Sequence, residues 1–323
     1  MFGDVLPVLG TSKRNSFDPL LNVKPGPQIF RNTMRKLLSE TPLQILLLKD
    51  SKYHHYGTMP EFIDFFCHNE AVGGSLGFTR NHSNKFGWDA KLITGDGLLN
   101  GNGKDLKLFS ENRPNAVKYD ESVKACVLNS IFSSPPLISE SAVIEFCYFS
   151  CSVSIGTDTV LSCCSLTSDD IDSTVVIPPG YSYNSIAVDD PPKWCCIAVD
   201  VNADVKKIYE TSNIGEMMHF GVPIHDFISK VGLNSEDVLN GGKGSLWDSK
   251  LFPLATTMEE AFILTLELME IVKANDSTAF HGRKYEWISC QDLAKRKNVP
   301  CMLEYQQKLH RIIKRTVPKW SRS

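Results

Sequence analysis

The sequence predicts an α/β fragment, followed by a parallel β-helix and a mixed α+β tail, and three observations lead there. Apolar residues recur every six positions at Ile131, Leu137, Val143, Phe149, Ile155 and Leu161. A helical stripe, a short apolar run and a second helical stripe follow one another before residue 70. Two further helical stripes close the chain. A six-residue rhythm fits neither a helix nor a half-exposed strand. It fits short strands stacked in a coil, each hexad supplying one strand and one turn, with its apolar residue turned to a shared interior that only stacking neighbours can bury. Such a coil is expected to be of the left-handed type, by analogy with other six-residue repeats. The domains expected are residues 1–70, 71–200 and 201–323.

In chain order, Phe30, Met34, Leu37 and Leu38 mark one face of a helix that starts after Pro25-Gly26-Pro27 and stops at Thr41-Pro42. Gln44 to Leu48 reads as a short apolar strand of the kind a parallel sheet buries, and Lys49-Asp50-Ser51 ends it. A helical pattern resumes from Pro60 to Phe66, with Phe62, Phe65 and Phe66 apolar. From Ala71 to Asp120 the chain turns rich in Gly, Asn and Asp, as loops linking short strands would be. The coil is expected over Ala125 to Val188, with a phase slip after Leu161, registry regained at Ile171 and Ile177, and a turn at Pro178-Pro179-Gly180. Beyond Val201, a helix is predicted over Met258 to Lys273, opened by a capping box of Thr257 and Glu260 and striped by Phe262, Leu266 and Met269. A last helix near Leu303 to Arg315 carries Tyr305, Leu309, Ile312 and Ile313 on one face.

Composition narrows the function. A chain of 323 residues with a net charge of −3 has no surplus of Lys and Arg for a phosphate backbone, so nucleic acid is disfavoured as the partner. No apolar run approaches the roughly 20 residues of a membrane span. The opening residues do not read as a basic, apolar secretory leader, so the ten cysteines are expected to be reduced thiols in the cytoplasm. Cys147 and Cys151 flank Phe149, where small soft side chains suit a tight interior, and no CxxC pair suggests a zinc ribbon. The sequons at Asn81 and Asn275 then read as chance matches.

The most chemically suggestive stretch is Ser51-Lys52-Tyr53-His54-His55-Tyr56-Gly57-Thr58-Met59-Pro60-Glu61-Phe62, between the predicted strand and a helix start. In open α/β sheets ligands gather beyond the carboxyl ends of strands. Gly57 and Thr58 can present backbone N–H groups and a hydroxyl to a phosphate, with Lys52 adding a cation and His55 a switchable donor. The competing reading is that Thr58 caps the helix near Pro60 and the histidines are ordinary surface or core residues. Other segments fail their tests. Gly103-Lys104 is followed by Asp105 and has Leu98 where a phosphate loop needs its first glycine, and Gly73-Gly74-Ser75-Leu76-Gly77 lacks dinucleotide-loop spacing. No histidine lies between His82 and His219, which leaves the coil without the general base of coil-borne acyltransferases. No GxSxG elbow appears, and the basic residues Lys308, Arg311, Lys314, Arg315 and Lys319 read as a solvated helix side.

Five separate stretches point the same way: Phe2-Gly3-Asp4-Val5-Leu6, Ser51 to Thr58, Val143-Ile144-Glu145-Phe146 with Val153-Ser154-Ile155-Gly156, Phe220-Gly221-Val222, and Ser245-Leu246-Trp247-Asp248-Ser249-Lys250-Leu251-Phe252-Pro253. Together they resemble one family, the fucose-1-phosphate guanylyltransferases, or GDP-L-fucose pyrophosphorylases. The resemblance spans most of the chain. It implies a nucleotidyltransferase α/β domain ahead of a parallel β-helix, with GTP and fucose 1-phosphate as substrates, GDP-fucose and pyrophosphate as products, and Mg²⁺ as cofactor. The nucleotide loop of the family lies near its amino terminus, whereas Phe2-Gly3-Asp4 matches a point about midway along. The expectation is therefore a carboxyl-terminal half that is inactive alone, with Lys52, His55, Gly57 and Thr58 lining the sugar-phosphate side. Where related enzymes carry a metal-binding Asp before Gly-Thr, this chain has His55, so no metal ligand is assigned. The alternative expectation is a non-catalytic assembly module, a homo-oligomer or a partner-chain complex built through the β-helix.

Overall fold

A computed structural model describes residues 56–68, 125–132, 136–167, 174–239, 241–274 and 285–316, with residues 33 and 36. Residues 33 and 36, within the first predicted helix, are helical, while its stripe residues Phe30, Met34, Leu37 and Leu38, the strand at Gln44–Leu48, the glycine-rich stretch from Ala71 to Asp120 and Ile171 fall outside the described residues. Contacts divide the chain into two units, Met1–His55 and Tyr56–Ser323, and the architecture that follows belongs to the second.

The fold is mixed α/β with parallel sheets. Helix α1 (Met59–Cys67) is followed by nine short strands: β1 (Cys126–Leu128), β2 (Ile131–Phe132), β3 (Leu137–Ile138), β4 (Val143–Glu145), β5 (Tyr148–Phe149), β6 (Ser152–Ile155), β7 (Val160–Ser162), β8 (Ser165–Leu166) and β9 (Thr174–Ile177). Every third strand pairs, in parallel, which gives β1-β4-β7, β2-β5-β8 and β3-β6-β9. Most partners lie seventeen residues apart, as Cys126 to Val143, Val143 to Val160, Ile131 to Tyr148 and Leu137 to Ser154 do. The register widens to twenty-two where Ser152 pairs with Thr174.

The true repeat is therefore seventeen, divided six, six and five, and this corrects the strict hexad. The residues that meet in the shared core are Val127, Phe132, Ile144, Phe149, Ile155, Leu161, Leu166 and Ile177, with Ile138 packed against them. Phe132 stacks on Phe149 with ring centroids 5.4 Å apart. Strict counting lands on that set from Phe149 onward but falls one residue short at Ile131, Leu137 and Val143. Successive strand side chains point to opposite faces, so a slip of one reverses the face. Ile131 and Val143 are buried from outside instead, and Leu137 is 68% exposed. Corners repeat at the same interval. Asn129, Phe146 and Cys163 have φ of 46°, 50° and 54°, and Ser141 and Asp158 have φ of 60° and 51°. These non-glycine residues hold a left-handed conformation at a cost of about 1 kcal/mol each, maintained because the stacked strands on both sides dictate it.

Two outer faces are covered. Ile63 and Cys67 of α1, with Phe62 and Phe66, pack on Cys126, Val143, Val160 and Val201. The final helix packs Leu309, Ile312 and Tyr305 on Ile131, Tyr148 and Phe146, and the Tyr305 hydroxyl donates to the Phe146 carbonyl at 3.1 Å. Among the described residues nothing covers the third outer face, with Leu137 at 68% and Val176 at 65% exposure, both paired to Ser154.

The tail extends the first sheet. β10 (Tyr181–Val188) joins β7 in parallel, then turns back as β11 (Lys193–Asp200), which pairs antiparallel with β14 (Phe252–Ala255) and so reaches β15 (Trp287–Ile288). The hairpin β12 (Met218–His219) and β13 (Val222–Pro223), helix α2 (Ile224–Val231) and the short α3 (Ser235–Val238) precede β14. Helix α4 spans Met258–Lys273 as predicted, and its Phe262 ring lies edge-on to Tyr183 at 5.8 Å. Its cap differs in one detail. Thr257 accepts the Glu260 N–H, but Glu260 accepts from the N–H and hydroxyl of Thr256, one residue earlier than a capping box requires. Helices α5 (Cys290–Arg296) and α6 (Val299–Thr316) end the chain, α6 starting a turn before its predicted position.

Candidate functional site

Gly57 and Thr58 lie at the start of α1, and the sequence explains why the helix begins there. Thr58 has an extended backbone, its hydroxyl accepts the Glu61 N–H at 3.4 Å, and Pro60 in the first turn has no N–H to leave unpaired. Glu61 folds back, and its Oε2 accepts the N–H of Thr58 at 3.0 Å and that of Gly57 at 2.7 Å. The amides at the positive end of a helix thus already hold an anion, the carboxylate of Glu61. Tyr56 stands beside this turn, its ring edge-on to Phe65 at 4.6 Å. Lys52 and His55 fall outside the described residues. The Thr-x-x-Glu spacing is the sequence signal for Glu61.

The other end of α1 is tied to the parallel sheets. His68 Nε2 and the Ser141 hydroxyl share a hydrogen bond of 2.9 Å, and the Cys67 thiol points to the Ala142 carbonyl at 3.6 Å. Neither contact had a sequence signal, since the partners lie 73 and 75 positions apart.

Two further segments that carry the resemblance shape turns and core contacts. Phe220 and Gly221, with φ of 51° and 80°, form the two-residue turn between β12 and β13. His219 beside them is buried among Phe220, Phe227 and Phe252, with no hydrogen-bond partner at Nε2, and burial pushes its pKa down to about 3. In Ser245 to Pro253, Asp248 accepts from both the N–H and the hydroxyl of Ser245, Lys206 lies over the Trp247 ring, and Leu251 and Phe252 enter the core.

None of the ten cysteines forms a disulfide, and nine are buried. Burial raises the pKa of Cys164, Cys195 and Cys196 well above the ordinary value and pushes that of Cys290 up to about 12, which removes the thiolate a nucleophile or metal ligand needs. Among the described residues no group of three His, Cys, Asp or Glu side chains could hold a metal ion. Among the described residues no helix is long and apolar enough to cross a membrane. A chain of ion pairs links β10, β11 and α5: Arg296 holds Asp189 and Glu286, and Lys193 holds Glu286 at 2.7 Å, which lowers both carboxyl pKa values.

A mixed α/β chain with parallel sheets and an anion-holding turn at its leading helix matches a known class in sequence. The chain belongs to the fucose pyrophosphorylase domain family, whose pattern matches residues 1–257. It is similar to the fucose-1-phosphate guanylyltransferase of Homo sapiens, 22% identical over 286 residues, covering 86% of this chain and 41% of that protein. The protein of the same name in Mus musculus is 24% identical over 284 residues, covering 86% of this chain and 42% of its own length. The chain thus spans about two fifths of the length of these relatives. No solved structure matches it.

Proposed function

We propose that this chain forms the sugar-phosphate side of a guanylyl transfer in which an oxygen of fucose 1-phosphate attacks the α-phosphate of GTP, pyrophosphate leaves and GDP-fucose forms. The observation that carries the reading is the turn at Gly57 and Thr58, where two backbone N–H groups converge on one carboxylate in a member of the fucose pyrophosphorylase domain family. A phosphate oxygen has the charge and acceptor geometry to replace Glu61 there. Thr58 Oγ would add a hydroxyl, Lys52 a cation and His55 a further donor. Mg²⁺, where bound, would offset charge on the triphosphate. The glycine-rich segments fit no phosphate loop, which supports the further proposal that the chain alone does not complete the transfer. The three parallel sheets are read as the faces of a left-handed parallel β-helix, supported by the seventeen-residue register and the recurring corners. Free buried thiols throughout are in keeping with a reducing, cytoplasmic setting.

Calorimetric titration of the chain with fucose 1-phosphate, and with inorganic phosphate for comparison, tests the assignment. Saturable binding weakened about tenfold in Thr58→Ala is expected. Equal binding in that variant, or none in either, overturns it. Incubation with GTP, Mg²⁺ and fucose 1-phosphate is expected to release no GDP-fucose, and turnover by the chain alone would refute the second proposal.

A further inference from the structure

Helix α1 is nine residues long, too short to persist in water by itself, so the Gly57–Thr58 turn exists where the rest of the unit holds it. Its seat is peculiar. The outer ladder under it is Cys126, Val143 and Val160, three small apolar side chains at one position of successive strands. Strands repeat about every 4.8 Å, and a ladder of near-equal apolar groups gives dispersion and area without a preferred seat along its length. A helix displaced by one strand would bury similar surface while carrying its first turn about 4.8 Å away, more than enough to lose any hydrogen bond made there. Directional contacts must choose the seat.

We propose that His68 and Ser141 are the positioning residues that do so, fixing α1 on the first parallel sheet and thereby setting the Gly57–Thr58 turn. The contact can discriminate between corners. Ser141 stands at a left-handed corner, φ 60°, and the corner seventeen residues on is Asp158, φ 51°, exposed and of different chemistry. Only at the Ser141 corner does His68 meet a hydroxyl, at 2.9 Å. The Cys67 thiol is directed at the neighbouring Ala142 carbonyl, a backbone group that recurs at every rung, so the choice of rung falls to the side-chain pair. The parallel sheets then act as a mounting for the sugar-phosphate wall. This role rests on the proposed function only for the identity of the ligand. The positioning itself is a property of the fold.

The test is hydrogen exchange of the Gly57 and Thr58 amides in the whole chain, by NMR. His68→Ala and Ser141→Ala are each expected to speed exchange at both amides about tenfold while β4 and β7 stay protected, and His68→Gln, which can still bond to Ser141, to restore much of the protection. Leu309→Ala, on the helix over the second sheet, is the control for general loosening and should leave Gly57 and Thr58 unchanged. Unchanged exchange in the His68 and Ser141 variants, or an equal effect from Leu309→Ala, overturns the proposal. If His68→Ala does not fold, Ser141→Ala, which removes one hydroxyl, carries the same readout. A fucose 1-phosphate titration separates the two readings: exchange that responds as expected in a chain that binds no sugar phosphate sinks the ligand assignment and leaves the positioning role standing.

Discussion

Val143 and Val176 are both valines on outward faces of short parallel strands, yet one is 1% exposed and the other 65%. The strand chemistry does not account for the difference. Val143 has α1 above it and Val176 has no helix among the described residues packed on it. The two ladders differ in composition: Cys126, Val143 and Val160 are uniformly apolar, whereas Leu137, Ser154 and Val176 are interrupted by a serine. Composition alone does not select the wet face, because the second ladder, Ile131, Tyr148 and Ser165, also holds a serine and lies buried with the final helix packed on it.

The largest expected effect breaks or upholds this contrast directly. Val143→Asp places an unpaired carboxylate beneath α1 and should destabilise the protein by more than about 3 kcal/mol, while Val176→Asp on the wet face should cost less than about 0.5 kcal/mol. Urea unfolding of the pair measures it, and equal midpoints would mean that α1 does not seal its face. Acid unfolding sharpens the contrast next, because none of the paired residues on the wet face titrates and His219 in the core does. Its folded pKa of about 3 lies below the ordinary 6.5, so the unfolded chain takes up the proton first. Its contribution is complete above pH 6.5 and lost as the pH falls toward 3, at up to about 1.4 kcal/mol per pH unit. His219→Phe should flatten that part of the profile, whereas a variant on the wet face should not.

Thr58→Ala comes third. Removing the cap of α1 should lower stability by about 1 kcal/mol and speed amide exchange in the first turn of the helix, with the final helix unaffected. The smallest effect belongs to Leu137→Ser, which should change stability by less than about 0.5 kcal/mol and raise solubility. A loss as large as that of a core substitution would show that the third face is covered in solution.

Local signals were read well where each needed only neighbouring residues. The Thr257 cap and the stripe of Phe262, Leu266 and Met269 placed α4 at Met258–Lys273. The rhythm of apolar residues revealed strands, and Cys147 and Cys151 were rightly assigned to the interior. What misled was the assumption of one constant interval. A five-residue side between Ile144 and Phe149 changes the face of everything before it, and nothing local distinguishes Val143 from Ile144 as the inward member. At the candidate site, Thr58 as cap and Glu61 as its reciprocal partner are legible in the Thr-x-x-Glu spacing, while the second amide on that carboxylate, from Gly57, becomes visible only with side chains in place. His68 and Ser141 were hidden because 73 positions separate them.

By itself the sequence determined the short-range matters: which residues begin and end helices, that a parallel stack of short strands follows, and which family the chain resembles, since caps, stripes and repeats act over one or a few turns of chain. Tertiary structure alone decided which face of each strand is inside, which outer ladder receives a helix, and where that helix stops along the ladder. Those choices depend on contacts between segments far apart in the chain, and near-equivalent apolar rungs become distinguishable only when a directional bond selects one of them.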